Sequence, residues 1–251
     1  MAHRIGVLID GFDTLAASRA LAAENASILR EQGFVIIPGP VDSAGMAELS
    51  RAYDAIEASA TGDDIRIGST TTRIRDFVNR GSEVDDLYVF PPLLDACCRV
   101  IGQPFKLSSL HSRTLRPAMP NQNLHVDVRR DSSEWPLLGF IFMVDEFRPD
   151  NGATRFIPGS HLWPAVPEDS MSDVQADVPG QVLACGSAGS RLIFHGSTWH
   201  GHAANVSSKP RRSLQGAFIP RNGSTATNWG ARMQPETRAR LAPVASYVLD
   251  L

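Results

Sequence analysis

The stretch Gln122-Asn123-Leu124-His125-Val126-Asp127 carries the pattern around which the rest of the chain is arranged. Val126 and Val128 flank Asp127, which favours a short β-strand. Side chains two positions apart in a strand point to the same face, so His125 and Asp127 are expected to project together. An imidazole and a carboxylate on one face are two thirds of the 2-His-1-carboxylate triad that binds non-haem Fe(II). His-x-Asp is nevertheless a common tripeptide, and alone it equally fits a polar strand with one exposed face.

The composition is that of a globular protein. The chain has 251 residues, of which 43% are hydrophobic and 20% charged, and its formal net charge is −3. This balance argues against a nucleic-acid partner. Cys97, Cys98 and Cys185 lack the spacing of a disulfide framework, which indicates a reducing, cytoplasmic location. The N-terminal apolar run is too short for a signal peptide, and no apolar segment approaches the ~20 residues that span a bilayer, so no membrane partner is expected. The oligomeric state stays open, a homodimer included.

Helices are predicted to dominate the first part of the chain. The first predicted elements are a strand at 5–9, a helix from Asp13 or Thr14 to about Gln32 that Gly33 ends, and a strand at Phe34–Ile37. A helix capped by Asp42 or Ser43 and an irregular surface segment at 60–80 follow. The third predicted helix covers 87–101, with Pro91-Pro92 in its first turn and Gly102 at its end. Their role would be to support the chain that follows.

Short apolar runs separated by Gly, Pro, Asn and Asp follow from Phe105 onward, at 106–115, 137–144, 153–157, 181–183, 190–194 and 213–219. Such runs are typical of an antiparallel β-sandwich or barrel. A last helix is predicted within 235–251. We therefore expect one mainly β domain over residues 1–251, with helical support at roughly 12–102 and a β core at roughly 103–222.

A third metal ligand must come from another strand, because His125 and Asp127 use up their own short face. The segment 191–205 offers His195, His200 and His202, and their spacing alone does not choose between them.

An arginine pair lies a short way beyond these histidines. Arg211 follows His200 by eleven residues, and Arg212 comes next. An arginine at the mouth of a barrel can grip a dicarboxylate in a bidentate manner. The alternative is an ordinary solvated loop end.

Four ordered motifs together resemble the phytanoyl-CoA dioxygenase family of Fe(II)/2-oxoglutarate-dependent oxygenases. They are Gln122-x-Leu-His125-x-Asp127, Asp150-Asn-Gly-Ala-Thr-Arg-Phe-Ile-Pro-Gly-Ser-His161, Phe194-His-Gly-Ser-Thr-Trp-His200-Gly-His-Ala-Ala-Asn205 and Pro210-Arg211-Arg212. The segment Gly33-Phe-Val-Ile-Ile-Pro-Gly39 also looks like the opening strand of that family. The resemblance covers roughly residues 33–219.

The resemblance implies a double-stranded β-helix, the jelly-roll or cupin-like barrel, with N-terminal and C-terminal helices. It places Fe(II) on His125, Asp127 and His200. It also implies that Arg211, with Arg212 as the adjacent alternative, binds the distal carboxylate of 2-oxoglutarate. The remaining implied roles are cosubstrate-pocket positions for Gln122 and Thr154, tight turns at Gly152 and Gly159, and a structural role for His161.

The implied reaction converts 2-oxoglutarate and O2 to succinate and CO2 while a C–H bond of a small molecule is oxidised, with hydroxylation as the leading expectation. Desaturation, epoxidation and ring formation use the same ligands. Asp127 argues against a halogenase, since halogenating relatives lack the carboxylate. Two other classes fit a jelly roll, a cupin-like metal-dependent non-oxidative enzyme and a metal-free binding module, but neither needs Arg211.

The substrate itself is not specified by these motifs. Arginines are frequent near the expected mouth of the barrel, and they would either meet an anionic substrate group or form a solvated surface: Arg73, Arg75, Arg80, Arg113, Arg116, Arg129 and Arg130.

Overall fold

Two antiparallel sheets face each other in the computed structural model, which describes residues 11–39 and 42–251. The strands in this part of the chain are β1 Phe34–Ile37, β2 Ile65–Ile67, β3 Thr71–Ile74, β4 Phe105–Leu115, β5 Leu138–Met143, β6 Thr154–Phe156, β7 Val182–Ala184, β8 Arg191–His195, β9 His200–His202 and β10 Arg211–Pro220. The larger sheet has the order β1-β8-β5-β10-β4-β3-β2, and the smaller has the order β7-β6-β9.

Helices precede, interrupt and follow these strands. They are α1 at 11–18, α2 Ala23–Gln32, α3 Ser43–Ser59, α4 Asp85–Tyr88, α5 Pro91–Ile101, α6 Pro167–Ser170, α7 Trp229–Arg232, α8 Pro235–Arg240 and α9 Pro243–Val248. Short 3-10 turns occur at Gly62–Asp64, Phe77–Asn79, Ser82–Val84 and Ser160–Leu162.

The central strands are apolar on both faces, because each face has its own partner layer. In β8, Ile193 belongs to the large core shared with the helices, whereas Leu192 and Phe194 point the other way, into the space between the sheets. Strand β5 alternates in the same manner and is buried at every position. Continuous burial explains why these strands read as unbroken apolar runs rather than as alternating ones.

The predicted jelly roll is confirmed. Every predicted run after Phe105 coincides with a strand to within a residue or two at each end. The space between the sheets holds the second core, which contains Phe34, Phe147 and Phe156 among others. The helices pack mainly on the outer face of the larger sheet, so the opposite face is left to form the interior of the barrel.

Helices begin and end as predicted where a local capping residue determines the boundary. The side chain of Asp42 accepts a hydrogen bond from the Gly45 N–H at 2.8 Å, which caps α3. Gly33 and Gly102 adopt left-handed conformations, with φ of 83° and 69°, at the ends of α2 and α5.

The continuous helix predicted from Asp13 or Thr14 to Gln32 is wrong, since the chain breaks between α1 and α2. Arg19 has a φ of +45°, and the Leu21 N–H donates to the Asp95 carboxylate at 2.8 Å. Asp95 lies in α5 and is itself buried. This long-range hydrogen bond holds the non-helical turn, and no local pattern indicates it.

The segment 60–80 was also predicted wrongly, because it is not an irregular surface loop. Strands β2 and β3 form a hairpin at the edge of the larger sheet, and Ile74, Phe77 and Val78 are buried beneath it. Frequent arginines conceal the strand alternation in the sequence.

Two predicted helices are each divided. The helix expected at 87–101 is split into α4 and α5, because Pro91 and Pro92 begin a new helix. The helix expected within 235–251 is split into α8 and α9, and Pro243 begins the second. The predicted strand at 5–9 lies outside the described residues. In the described part of the chain, no helix combines the length and apolar character that a membrane span requires.

Candidate functional site

The segment that carries His125 and Asp127 is not a regular strand, contrary to the prediction. His125 forms a single β-bridge with His200, in which each backbone N–H donates to the carbonyl of the other residue at 3.0 Å. The Asp127 N–H donates to the Gly196 carbonyl at 2.8 Å. Contacts with β9 and with Gly196, the residue after β8, therefore orient the two side chains, and the bridge brings His200 directly opposite His125.

One ligand atom from each of His125, Asp127 and His200 lies within 4.8 Å of the others. We call these three residues the triad. The Asp127 carboxylate oxygens lie 3.7 Å from the Nε2 atoms of both histidines, and the two rings are 4.4 Å apart between centroids. His200 is buried, whereas the other two side chains are about one third exposed. A metal ion held here would face an open side of the barrel.

Backbone carbonyls set the orientation of both imidazoles. His125 Nδ1 lies 3.0 Å from the Asn123 carbonyl, and His200 Nδ1 lies 2.8 Å from the Thr198 carbonyl. A carbonyl only accepts, so each Nδ1 donates a proton to its carbonyl, and each Nε2 lies on the side of the ring that faces the space beside Asp127. Burial lowers the pKa of His200 to about 4, and the Asp127 charge only partly opposes this effect. A neutral, fixed imidazole is the form that binds a metal ion.

The neighbouring histidines are engaged elsewhere. Both ring nitrogens of His202 make hydrogen bonds, to Thr70 Oγ1 at 2.9 Å and to the Ala203 carbonyl at 2.9 Å. His195 Nδ1 accepts the Ser197 N–H at 3.2 Å. His161 Nε2 donates to the Arg30 carbonyl, in keeping with its expected structural role.

Arg211 is a buried cation without a fixed counter-ion. It is 1% exposed, and its Nε and Nη1 have no hydrogen-bond partner among the described residues. Its guanidinium carbon lies 3.8 Å from the centre of the Phe147 ring. Burial lowers its pKa to about 9, and the nearby Arg113 adds to that effect. A charge kept in this state fits a site that receives an anion.

Arg212 faces the other way, as strand alternation requires. Its guanidinium pairs with Asp145 at 2.7 Å and with Asp54 at 2.7 Å, at the outer surface of the sheet. The structure therefore brings Arg211, and not Arg212, to the inner face of β10.

Gln122 and Thr154 both lie beside β9. The Gln122 side-chain oxygen accepts from Arg113 Nη2 at 2.8 Å, and its backbone N–H donates to the His202 carbonyl. Thr154 is buried in β6, opposite His202 in register and on the same side of its strand as Phe156.

Arg113 is a site residue that the sequence indicated only as one of seven arginines near the expected mouth of the barrel. It lies in β4 opposite Ser213, and its guanidinium also contacts the side chain of Gln215 at 3.2 Å. Burial lowers its pKa to about 10. The available signal was the alternation Ser109-x-His111-x-Arg113, which places three polar side chains on one face of β4.

A cavity of about 340 Å³ opens beside the triad and is lined by His125, Asp127 and Arg113 among others. A second cavity, of about 270 Å³, shares Arg73 and His111 with the first. The site can thus hold a metal ion at the triad and an organic molecule in the open space, and Arg211 lies near Arg113, which borders that space.

Comparisons with known proteins identify the family of the chain. The sequence model of the phytanoyl-CoA dioxygenase family matches residues 29–213. Dioxygenase af480 of Aspergillus fumigatus is 26% identical over 241 residues, which cover 89% of this chain and 75% of that protein. Dioxygenase cdmA of Talaromyces verruculosus is 36% identical over 111 residues, but the match covers only 40% of this chain and 35% of that protein.

A solved structure shares the fold. It is the epimerase SnoN in complex with Fe3+, alpha ketoglutarate and nogalamycin RO, with a TM-score of 0.63 and 23% identity over 78% of this chain and 82% of that one. The family match covers most of the chain, so the resemblance seen in the four sequence motifs is confirmed. The chain belongs to the phytanoyl-CoA dioxygenase family of Fe(II)/2-oxoglutarate-dependent oxygenases.

Proposed function

We propose that this chain oxidises a C–H bond of a small molecule with Fe(II), 2-oxoglutarate and O2, and that hydroxylation is the outcome. One observation carries the proposal: a two-histidine, one-carboxylate cluster and a buried, unpaired arginine occur in the same barrel. Either feature alone fits many proteins. Together they match the two ends of 2-oxoglutarate, the chelating keto acid and the distal carboxylate.

The triad would hold the iron on one face. His125 and His200 present Nε2 lone pairs that backbone carbonyls keep in place, and Asp127 supplies the carboxylate between them. Bound iron would be the centre at which 2-oxoglutarate and O2 give succinate, CO2 and the oxidising equivalent. The exposed side of the triad leaves room for the cosubstrate and the substrate.

Arg211 would bind the distal carboxylate of 2-oxoglutarate in a bidentate contact. Phe147 packs against the guanidinium and excludes water from one side. Gln122 would position Arg113 beside the cosubstrate through its 2.8 Å hydrogen bond, and Thr154 would line the pocket wall.

The relatives support this assignment. The related proteins af480 and cdmA are named dioxygenases, and the SnoN structure contains iron and alpha ketoglutarate. A cupin-like non-oxidative enzyme would need the metal ligands but not Arg211, and a binding module would need neither. The buried, unpaired Arg211 therefore favours the oxygenase.

The expected partner is a small-molecule substrate. A net charge of −3 gives no reason to propose a nucleic-acid partner. Cys97, Cys98 and Cys185 are free, which is consistent with our proposal of a cytoplasmic location.

The proposal is tested by measuring succinate from aerobic mixtures of enzyme, Fe(II), 2-oxoglutarate and a panel of small organic candidates. Succinate is the readout because every oxidative outcome releases it. We expect iron-dependent succinate above the background of an Asp127→Ala variant. Equal succinate from both proteins across the panel would contradict the proposal.

A further inference from the structure

Several arginines lie together on the β2–β3 hairpin. The hairpin is next to the cavity of about 340 Å³ beside the triad, which we call the metal cavity. Arg66 and Arg73 are direct partners in the antiparallel pairing of the hairpin, so their side chains lie on the same face. Arg75 is two positions beyond Arg73 and forms a bridge with His111 of β4. Ile74, between them, points the other way and is 1% exposed. We call Arg66, Arg73 and Arg75 the hairpin arginines.

The row of cations continues into the barrel. Thr71 pairs with Leu115 and Arg75 bridges to His111, so the same register places Arg73 beside Arg113. The pKa of Arg73 is lowered by its burial and by the charges of Arg66 and Arg75, and the charge of Asp127 only partly opposes this effect. Like charges directly opposite in a sheet destabilise it. Repulsion between these arginines therefore destabilises the ligand-free protein, and a bound anion would offset that repulsion.

Other arginines near the mouth have side-chain partners within the protein, whereas the hairpin arginines have none among the described residues. The paired ones are Arg80 with Asp64, Arg116 with the Gly68 and Ser69 carbonyls, Arg129 with Glu168 and Asp169, Arg130 with the His161 carbonyl, and Arg232 with Asp64 and Asp76. In the described part of the chain, the side chains of the hairpin arginines make no ion pair or hydrogen bond. Glu134 lines the metal cavity but makes no ion pair with them.

The hairpin arginines line the second cavity, whose volume is about 270 Å³. The second cavity adjoins the metal cavity, since both are lined by Arg73, Ser109, His111 and Ala226. A molecule with its anionic end among the hairpin arginines would therefore extend along the inner face of β4 toward the triad.

We propose that the substrate carries an anionic group, a carboxylate or a phosphate monoester, and that the hairpin arginines hold this group while the reacting C–H bond lies beside the triad. This inference rests on the proposed oxygenase function and specifies its substrate class. Arg73, which borders both cavities, is the positioning residue of the set, and Arg66 and Arg75 supply further charge at the outer end.

The test uses the anaerobic Fe(II) enzyme saturated with 2-oxoglutarate, so that Arg211 is already occupied. Octanoate, octyl phosphate and octan-1-ol are titrated by calorimetry. We expect at least one anion to bind about tenfold more tightly than the alcohol, as a charge-assisted contact predicts. The preferred anion then identifies the carboxylate or the phosphate class.

Substitutions test which arginines bind the anion. Arg73→Gln should weaken anion binding about tenfold, and Arg73→Gln with Arg75→Gln should reduce it to the level of the alcohol. Arg148→Gln is the matched control, because Arg148 is exposed and pairs with Asp150 and Glu146 on another surface. The unfolding midpoint of Arg73→Gln should be unchanged or higher, since a like-charge contact is removed.

The inference is overturned if neither anion binds, if anions and alcohol bind equally, or if Arg148→Gln loses as much affinity as Arg73→Gln. The visible Fe(II)–2-oxoglutarate absorption is recorded in the same samples. An intact band with no anion preference rejects the substrate class alone, whereas loss of the band in the wild type rejects the oxygenase function.

Discussion

Replacing Arg211 by methionine should separate cosubstrate binding from folding. Arg211 is 1% exposed and lacks partners for Nε and Nη1 among the described residues, so a bound carboxylate would be its principal counter-ion. Removing one partner of a buried, hydrogen-bonded charge pair costs roughly 2–5 kcal/mol. At ~1.4 kcal/mol per tenfold, the dissociation constant for 2-oxoglutarate should rise by about one and a half to three and a half decades.

The Arg211→Met substitution should not lower the stability of the ligand-free protein. A buried charge without a counter-ion is costly, and methionine keeps much of the side-chain volume. We expect the unfolding midpoint of metal-free Arg211→Met to equal or exceed that of the wild type. Arg211→Lys should recover only part of the affinity, because an ammonium group cannot make the bidentate contact.

The assay is anaerobic titration of 2-oxoglutarate into the Fe(II) protein, with Arg212→Met as the matched control. Arg212 lies one position away but pairs with Asp145 and Asp54 on the outer surface. Its loss should lower stability and leave 2-oxoglutarate affinity unchanged. Weakened binding in Arg212→Met, with normal binding in Arg211→Met, would refute the reasoning from burial.

Three further outcomes are expected. Alanine at any triad residue should abolish iron binding while circular dichroism stays that of the wild type; full turnover in any of them would contradict the ligand set. Gly201→Ala should weaken iron binding about tenfold, because a Cβ there would lie 2.9 Å from the Asn123 carbonyl and displace His125, whereas Gly68→Ala meets nothing closer than 3.4 Å and should bind normally. Burial lowers the pKa of His195 from 6.5 to about 4, and His161 and Arg130 add to that effect. Below pH 6.5 protons therefore bind the unfolded chain first, so the contribution of His195 to the unfolding free energy of the metal-free protein should fall between pH 6.5 and 4 by roughly 1.4 kcal/mol per pKa unit. Burial lowers the pKa of His200 to about 4 as well, so the slope measured by chemical denaturation should be smaller in His195→Gln than in the wild type but not zero, and an unchanged slope would reject this origin.

The apolar runs bounded by turn residues were sufficient to predict a β-sandwich or barrel, and the family resemblance of the four ordered motifs specified a jelly roll. The pattern predicted that His125 and Asp127 project together, but it did not predict what orients them, because their segment is not a regular strand. Their orientation depends on the bridge to His200 and on the hydrogen bond from Asp127 to Gly196, both of which are contacts distant in sequence.

Charge patterns were harder to interpret than apolar ones. The sequence indicated many arginines near the mouth but not which of them are paired. Arg66 and Arg73 lie directly opposite each other because of the register of the β2–β3 hairpin. We predicted an irregular segment at 60–80, so no hairpin and no register were expected there. The break before α2 depends likewise on a carboxylate, Asp95, that is remote in sequence.

The central claim is that the triad and Arg211 together bind Fe(II) and 2-oxoglutarate. Its most direct test is the weak visible absorption band that forms when 2-oxoglutarate chelates Fe(II) without oxygen. The wild type should develop a saturable band, and Asp127→Ala should develop none. A wild-type protein without the band, or an Asp127→Ala variant with the full band, would contradict the account.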